Sequence, residues 1–406
     1  MSTPTSPSPA VTDFDRMWAE LQPVGRAGSG GYRRFAWTRE DATLREWFAG
    51  ECARRGLDLV EDRLGNQWAW WGDPDTQGPG VVIGSHLDSV PDGGAYDGPL
   101  GVVTALATVD ALRAAGHTPQ VPLGVVNFAD EEGARFGVAC IGSRVVTGAL
   151  TPERALALTD NDGVSLAEAL RAAGCDPGAI GRDDEAVGRV GTFVEVHVEQ
   201  GRGLADLDRA VAVGTAIWPH GRWRLDLVGQ ANHAGTTRLE DRDDPMLRLA
   251  SAILTARSAA ETHACVATIG KTRVVPGGVN AIPSEVTAWL DARGPVDADV
   301  REVVAEVART VGVEAVEESW TPQTGFDAQL AARLSVLLDD APLLGTGAGH
   351  DAGILAGAGV PTAMLFVRNP TGISHSPQEH AEVEDCHAGV DALRRVVTDL
   401  TAEARA

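Results

Sequence analysis

The chain contains no run of lysine or arginine, and its 34 basic residues stand against 57 acidic ones, a formal net charge of −23. A polyanion is repelled by such a field, which excludes nucleic acid and an anionic membrane surface as partners. No apolar stretch approaches the about eighteen residues that a membrane-spanning helix requires. The N-terminal MSTPTSPSPA lacks a charged-then-apolar order and a hydrophobic centre, so it reads as a short disordered tail and not as a secretory signal. Cysteine is sparse: Cys52, Cys140, Cys175, Cys265 and Cys386 are scattered, odd in number and without CxxC spacing. That excludes a disulfide framework or zinc ribbon and points to reduced thiols in the cytoplasm.

What is present is an ordinary globular composition over 406 residues, 44% hydrophobic and 22% charged, long enough for two domains. VVIGSHLDSV (81–90) is expected as a buried strand, PLGVVTALATVDALRAAG (99–116) as a helix closed by Gly116, and VPLGVVNFADEEG (121–133) as a second strand ending in acids. Strand, helix and strand in that order imply a βαβ unit in a largely parallel sheet. VGTFVEVHVEQG (190–201) is a third strand, and GAGVPTAMLFV (357–367) brings the same signature back near the C-terminus. Between them the pattern changes. HGRWRLDLVG (220–229) and EVTAWLDAR (285–293) alternate, and helices are expected over 243–260 and 297–312. The fold class is therefore α/β. A mainly parallel-sheet catalytic domain (1–213 and 326–406) is interrupted by an inserted α+β sandwich (214–325).

The stretch GSHLDSVPDGGAYDG (84–98) ends an apolar strand in one histidine, three aspartates and four glycines. An exposed turn has that composition too, so its meaning depends on partners elsewhere. Candidates gather at strand ends: His86, Asp88, Asp97, Glu131, Glu132, His197 and, in GISHSP, His375. Period 2 puts His86 and Asp88 on one face of a strand, where Asp88 could orient the imidazole. Oxygen and nitrogen donors without thiolate favour zinc, manganese or cobalt. Two adjacent ions need a bridging carboxylate and about two further ligands each. Asp97 as bridge, His86 with His197, and Glu132 with His375 satisfy that count. Two neighbouring carboxylates resist burial unless a cation compensates them. If Glu132 is the ligand, Glu131 is left to take a proton from water. An exposed acidic turn is the competing explanation for the pair. His117, His263, His380 and His387 are left as ordinary hydrogen-bonded side chains. GAGHD (347–351) is read as a tight strand-to-helix connection, and Ser143 and Ser374 lack a nucleophile-elbow context.

GSHLDSVPDGGAYDGPLGV, ADEEGARFG, HVEQG, GQANHAGTT, GGVNAIP, LDAR and GISHSP follow one another here in that order. In this the chain resembles the dinuclear metal aminoacylase and carboxypeptidase-like hydrolases. More narrowly it resembles the branch of N-carbamoyl-L-amino-acid hydrolases, β-ureidopropionases and allantoate amidohydrolases. The resemblance covers about residues 80–390, and His197 in HVEQG marks the branch. It implies two divalent ions per subunit on His86, Asp97, Glu132, His197 and His375, with Asp97 bridging. It also implies Glu131 as general base, Asp88 as orienting acid, and His233 as a histidine that reaches the partner subunit's site. Gln200, Asn280 and Arg293 match residues that bind the substrate carboxylate, and the inserted domain matches a lid that also makes a homodimer. Arg238 and Leu239 depart from the proline and methionine common after HAGTT, which bears on substrate choice.

The activity so implied is hydrolysis of the linear C–N bond of a carbamoyl (ureido) group on a small carboxylate, an N-carbamoyl-L-amino acid or allantoate, with release of ammonia and carbon dioxide. A dipeptidase or aminoacylase on the same scaffold is the first alternative, and His197 with Gln200, Asn280 and Arg293 stands against it. A non-catalytic dimeric metal-binding homologue is the second, and the intact Glu131 and ligand set stand against that.

Overall fold

Four strands buried along their whole length form the centre of the larger sheet: Leu123–Phe128, Gly80–His86, Val190–Val198 and Thr362–Val367, neighbours in that order. All three pairings among them are parallel. A parallel strand covered on both faces carries no solvent-facing polar residues, which is why these segments are so apolar. Antiparallel strands flank them, with Gln67–Trp71 and Asp58–Glu61 on one side and Val211–Ile217 on the other. The structure is a computed structural model and describes residues 9–402. No helix among these residues is long and apolar enough to cross a membrane.

The Pro99–Ala114 helix returns the chain from the Gly80–His86 strand to its parallel neighbour, with twelve of its sixteen residues buried. Proline at its first position suits a site with no hydrogen-bonding role for N–H. Glycine at two positions lets it sit close to the sheet. A Cβ on Gly101 would lie 2.2 Å from the Val196 carbonyl oxygen, and one on Gly98, at φ +84°, 2.4 Å from the His86 ring. The close approach of helix to sheet therefore also fixes how near Asp97, at the helix N-terminus, can come to His86. The strand itself ends at His86, short of the 81–90 span expected, because the chain turns toward that N-terminus. Asp88 lies beyond the strand, so strand periodicity is not what relates it to His86.

The chain divides into two compact units, the second comprising Ala216–Thr324 and Gly345–Ala348. Gly345–Ala348, which the sequence pattern places in the catalytic part, belong to this second unit. This unit has a four-stranded antiparallel sheet in the order Ala315–Thr321, His220–Val228, Glu285–Arg293, Val266–Val275. Trp223, Leu225, Leu227, Val286, Ala288 and Leu290 face a core completed by the helices Pro245–Thr262 and Asp297–Val311. Arg222, Asp291 and Arg293 occupy the opposite, partly solvated face, as period 2 requires.

Replacing Gly101 by Ala forces the helix away from Val196 and Ser85. The expected cost is about 1–3 kcal/mol, as for overpacked cores, read as a lower denaturant midpoint at unchanged slope. An unchanged or higher midpoint would mean that helix propensity outweighs the clash.

Candidate metal centre and active site

The carboxyl ends of the four parallel strands hold the candidate set, the usual place for a site in such a sheet. His86 is the last residue of its strand and His197 the last but one of its own. Glu131 and Glu132 follow the Leu123–Phe128 strand, and His375 follows Thr362–Val367. Asp97 comes from the loop before the Pro99–Ala114 helix. Donor atoms of His86, Asp97 and His197 all lie within 4.8 Å of one another, and so do those of Asp97, Glu132 and His375. Asp97 belongs to both groups. Its Oδ1 is 3.1 Å from His197 Nε2 and 3.7 Å from His86 Nε2, and its Oδ2 is 3.4 Å from His375 Nε2.

Several observations show that these donors fit divalent cations. Among the described residues Glu132 Oε1 is buried without a hydrogen-bond partner, and His86 Nε2 and His197 Nε2 face carboxylates without hydrogen-bond geometry. Such orphaned groups are costly unless something binds them. The second nitrogen of each buried histidine is already held. His197 Nδ1 lies 2.8 Å from the Val198 carbonyl, and His86 Nδ1 lies 3.2 Å from the Asp88 carbonyl. A proton on Nδ1 leaves the Nε2 lone pair free to ligate.

Asp88 organises the adjacent glutamates. Its Oδ1 accepts the N–H of Glu131 at 3.1 Å and its Oδ2 that of Glu132 at 3.0 Å, while Oδ1 is also 3.4 Å from His86 Nδ1. One carboxylate thus orients a candidate ligand pair and the candidate base together. Glu131 is 5% exposed, and its Oε2 lies 3.7 Å from His86 Nε2. The thiol of Cys140 is 3.5 Å from its Oε1.

Burial and charge compete at every member. Desolvation pushes the Glu131 carboxyl well above its ordinary range, only partly offset by His86. Desolvation, then repulsion from Asp97, raises Glu132 to about 8. Asp97 goes the other way. Burial would raise it, but the imidazoles of His197, His375 and His86 hold it well below the carboxylate range. His86 would be lowered by burial, yet Glu131 and Asp88 hold it well above the usual imidazole value. His375, hydrogen-bonded to Asp97, is raised to about 9.

Gln200 lies among these groups, its Nε2 donating to Asp97 Oδ2 at 2.9 Å and to Ser374 Oγ at 3.2 Å. Its Oε1 is buried and has no partner among the described residues, so the carbonyl is the end left for a ligand. The remaining expected residues lie in the second unit. His233 is exposed in a two-residue strand paired with Ala281–Ile282, and the Asn280 carbonyl accepts the Ala234 N–H at 3.0 Å. Arg293 ends the Glu285–Arg293 strand with its Nε and one Nη on Asp291, at 2.8 and 3.1 Å, and its other Nη on the Gly347 carbonyl at 2.9 Å. Those contacts hold the guanidinium plane.

Other residues of the site were missed by sequence reasoning. His350, in the GAGHD connection, is 3% exposed and packs its ring 4.5 Å from that of His197, with neither nitrogen partnered among the described residues. Burial, with the His197 charge beside it, drives its pKa well below the usual value, so it is neutral. Glu195 is fully buried and takes hydrogen bonds from Ser85 Oγ at 2.8 Å and the Ala352 N–H at 3.0 Å. Period 2 in VEVHVEQ, which puts Glu195 on the face of His197, was the available signal. Asp351, fully buried on Ser143, and Glu379 had no local signal. The histidines expected to be ordinary hydrogen-bonded side chains pair elsewhere: His117 with Thr401, His263 with Glu306, His380 with Glu382 and His387 with Asp15.

The family described as Peptidase family M20/M25/M40 matches residues 82–399. The chain is 36% identical over 404 residues to the N-carbamoyl-L-amino acid amidohydrolase of Geobacillus stearothermophilus, covering 95% of this chain and 98% of that one. It is 30% identical to the allantoate amidohydrolase of Bacillus subtilis (strain 168), over 96% of each chain. The solved amidase of the hydantoinase/carbamoylase family from Burkholderia multivorans superposes with a TM-score of 0.84 at 29% identity, covering 96% of this chain and 98% of that one.

Metal uptake should be coupled to proton release. Glu132 at about 8 and His375 at about 9 are largely protonated at pH 7, and each must lose its proton before it ligates. Affinity for zinc or manganese should therefore rise from pH 6 to pH 9. Calorimetry in buffers of different ionisation enthalpy should show more than one proton released per chain. An affinity independent of pH over that range would remove these two residues from the ligand set.

Proposed function

Because the chain belongs to peptidase family M20/M25/M40, we propose that it is a metal-dependent amidohydrolase, a homodimer of the cytoplasm, that cleaves the linear C–N bond of a carbamoyl (ureido) group. Its substrate is an N-carbamoyl-L-amino acid or allantoate, and ammonia and carbon dioxide are released. The observation that carries this reading is the sharing of Asp97 between two donor groups, with Glu131 beside His86 and a member of neither group. The similarity to the two named amidohydrolases supports a ureido substrate over a peptide. Five free cysteines agree with a reducing compartment.

His86, Asp97 and His197 would hold one divalent ion, and Asp97, Glu132 and His375 the other, drawn from zinc, manganese or cobalt. When bound, such ions supply Lewis acidity toward a carbonyl and lower the pKa of water. The chain's own groups move the proton. Glu131 accepts it from the attacking water as the C–O bond forms, then returns it to the nitrogen whose bond to the ureido carbon breaks. A desolvated carboxylate is a stronger base than a solvated one, which favours that transfer. Asp88 keeps Glu131 in place through its N–H, and neutral His350 is a donor available to the substrate carbonyl. Asn280 and Arg293 recognise the substrate carboxylate, Arg293 as a planar fork, whereas Gln200, expected beside them, has only its carbonyl oxygen free and so accepts an N–H of the substrate instead. His233 steadies the developing oxyanion in the partner subunit.

A panel of N-carbamoyl amino acids, allantoate, their amidated analogues and a dipeptide tests the reading. Ammonia should be released from the ureido carboxylates, poorly from the amides, and the dipeptide should survive. Glu131→Gln should keep its metal while kcat falls by ~10²–10⁴. Dipeptide cleavage with inert ureido compounds would replace this function by that of a peptidase.

The assignment of His233 has its own test. Glu131→Gln and His233→Ala homodimers should each be nearly inactive yet folded and metal-loaded. After subunit exchange, half of the sites in each heterodimer combine both intact groups, and activity should return. Verified heterodimers that stay inactive would withdraw the role across subunits.

A further inference from the structure

The two candidate metal positions are built from different kinds of backbone. His86 and His197 stand on neighbouring strands of the sheet, whereas Asp97, Glu132 and His375 all come from loops. His375 is half exposed and has a left-handed φ of 54°. Groups on loops hold their places only if something ties the loops together, since packed strands do that for the other position.

Glu379 is the group that does so. It is 5% exposed. Its Oε1 accepts the backbone N–H of Tyr96 at 2.9 Å and of Asp97 at 3.0 Å, while its Oε2 accepts Ser374 Oγ at 3.2 Å. One carboxylate thus joins the loop of Asp97 to the residue preceding His375. The contact also explains a glycine of the GSHLDSVPDGGAYDG stretch: a Cβ on Gly94 would lie 2.3 Å from Glu379 Oε1, so only glycine lets the two loops close.

Resting on the metal-ligand reading above, we propose that Glu379 is a positioning residue that staples these two loops and sets the affinity of the Asp97–Glu132–His375 position, leaving the His86–Asp97–His197 position largely to the sheet. Outer partners of ligands typically contribute about 10–100-fold to metal affinity. The carboxylate touches neither substrate nor the reacting atoms and takes no proton in the reaction. Its effect is on where Asp97 and His375 stand.

Metal-free protein is titrated with cobalt(II), followed by visible absorption and by metal content per chain, with thermal melting as a check on folding. The wild type should take up two ions in two phases. Glu379→Ala should weaken one phase about 10–100-fold and leave the other within a few-fold. Glu379→Gln should behave nearly as wild type, because its amide oxygen can accept both N–H groups and its NH₂ can donate to Ser374. Glu379→Asp, too short to reach both loops, should resemble the alanine variant and serves if that one does not fold. Wild-type affinity in both phases for the alanine and aspartate variants overturns the proposal. So does equal weakening of the two phases, or a glutamine variant as impaired as alanine. A wild type that binds fewer than two ions overturns the metal-ligand reading itself, and is distinguished because it fails before any substitution is made.

Discussion

A carboxylate removed from water must be neutralised by a cation, a proton or several hydrogen bonds, and much of this structure is arranged around that requirement. Asp88, Asp97, Glu131, Glu195 and Asp351 are all buried at one end of the parallel sheet, with His86, His197 and His350 among them. Protonated imidazoles hold Asp97 down, while desolvation favours the protonated forms of Glu131 and Glu132. Two divalent ions would replace those protons. The cost of assembling the cluster would then appear as affinity for metal.

Parallel strands make the assembly possible because their ends converge. The four central strands deliver His86, Glu131, Glu132, His197 and His375 to one crest, and the helix after the first of them brings Asp97. Close packing of that helix depends on Gly98 and Gly101, where side chains would strike the His86 ring and the Val196 carbonyl. Asp88 then sets the orientation of three candidate groups with one side chain. Fold stability and site geometry are not separable here, since the residues that let the helix dock are also those that bring the ligands within reach.

The second unit treats charge differently. Its sheet keeps one face apolar against two helices and leaves the other partly solvated, where Arg293 is held by Asp291 and the Gly347 carbonyl. A guanidinium so oriented keeps hydrogen-bond capacity at its far end, the form in which a planar cation recognises a carboxylate. His233 lies on a two-residue strand paired with Ala281–Ile282, Asn280 directly precedes that partner, and both are exposed.

Much was legible in the amino-acid order alone, because it followed from local rules. Unbroken apolar runs with acids at their ends specified a parallel sheet and the crest where the candidate donors gather, and alternation specified the second sheet. His86, Asp97, Glu131, Glu132, His197 and His375 could be named for that reason, and Gln200, Asn280, Arg293 and His233 only through family resemblance. What tertiary structure alone decided was which distant residues meet. His350 lies 153 positions from His197 in the chain, and Glu379 binds the Asp97 N–H across 282 residues. Asp88 reaches the two glutamates from beyond the strand's end rather than along its face. Burial of polar groups is paid back by partners brought close in space, and local sequence periodicity carries no information about such partners when loops supply them.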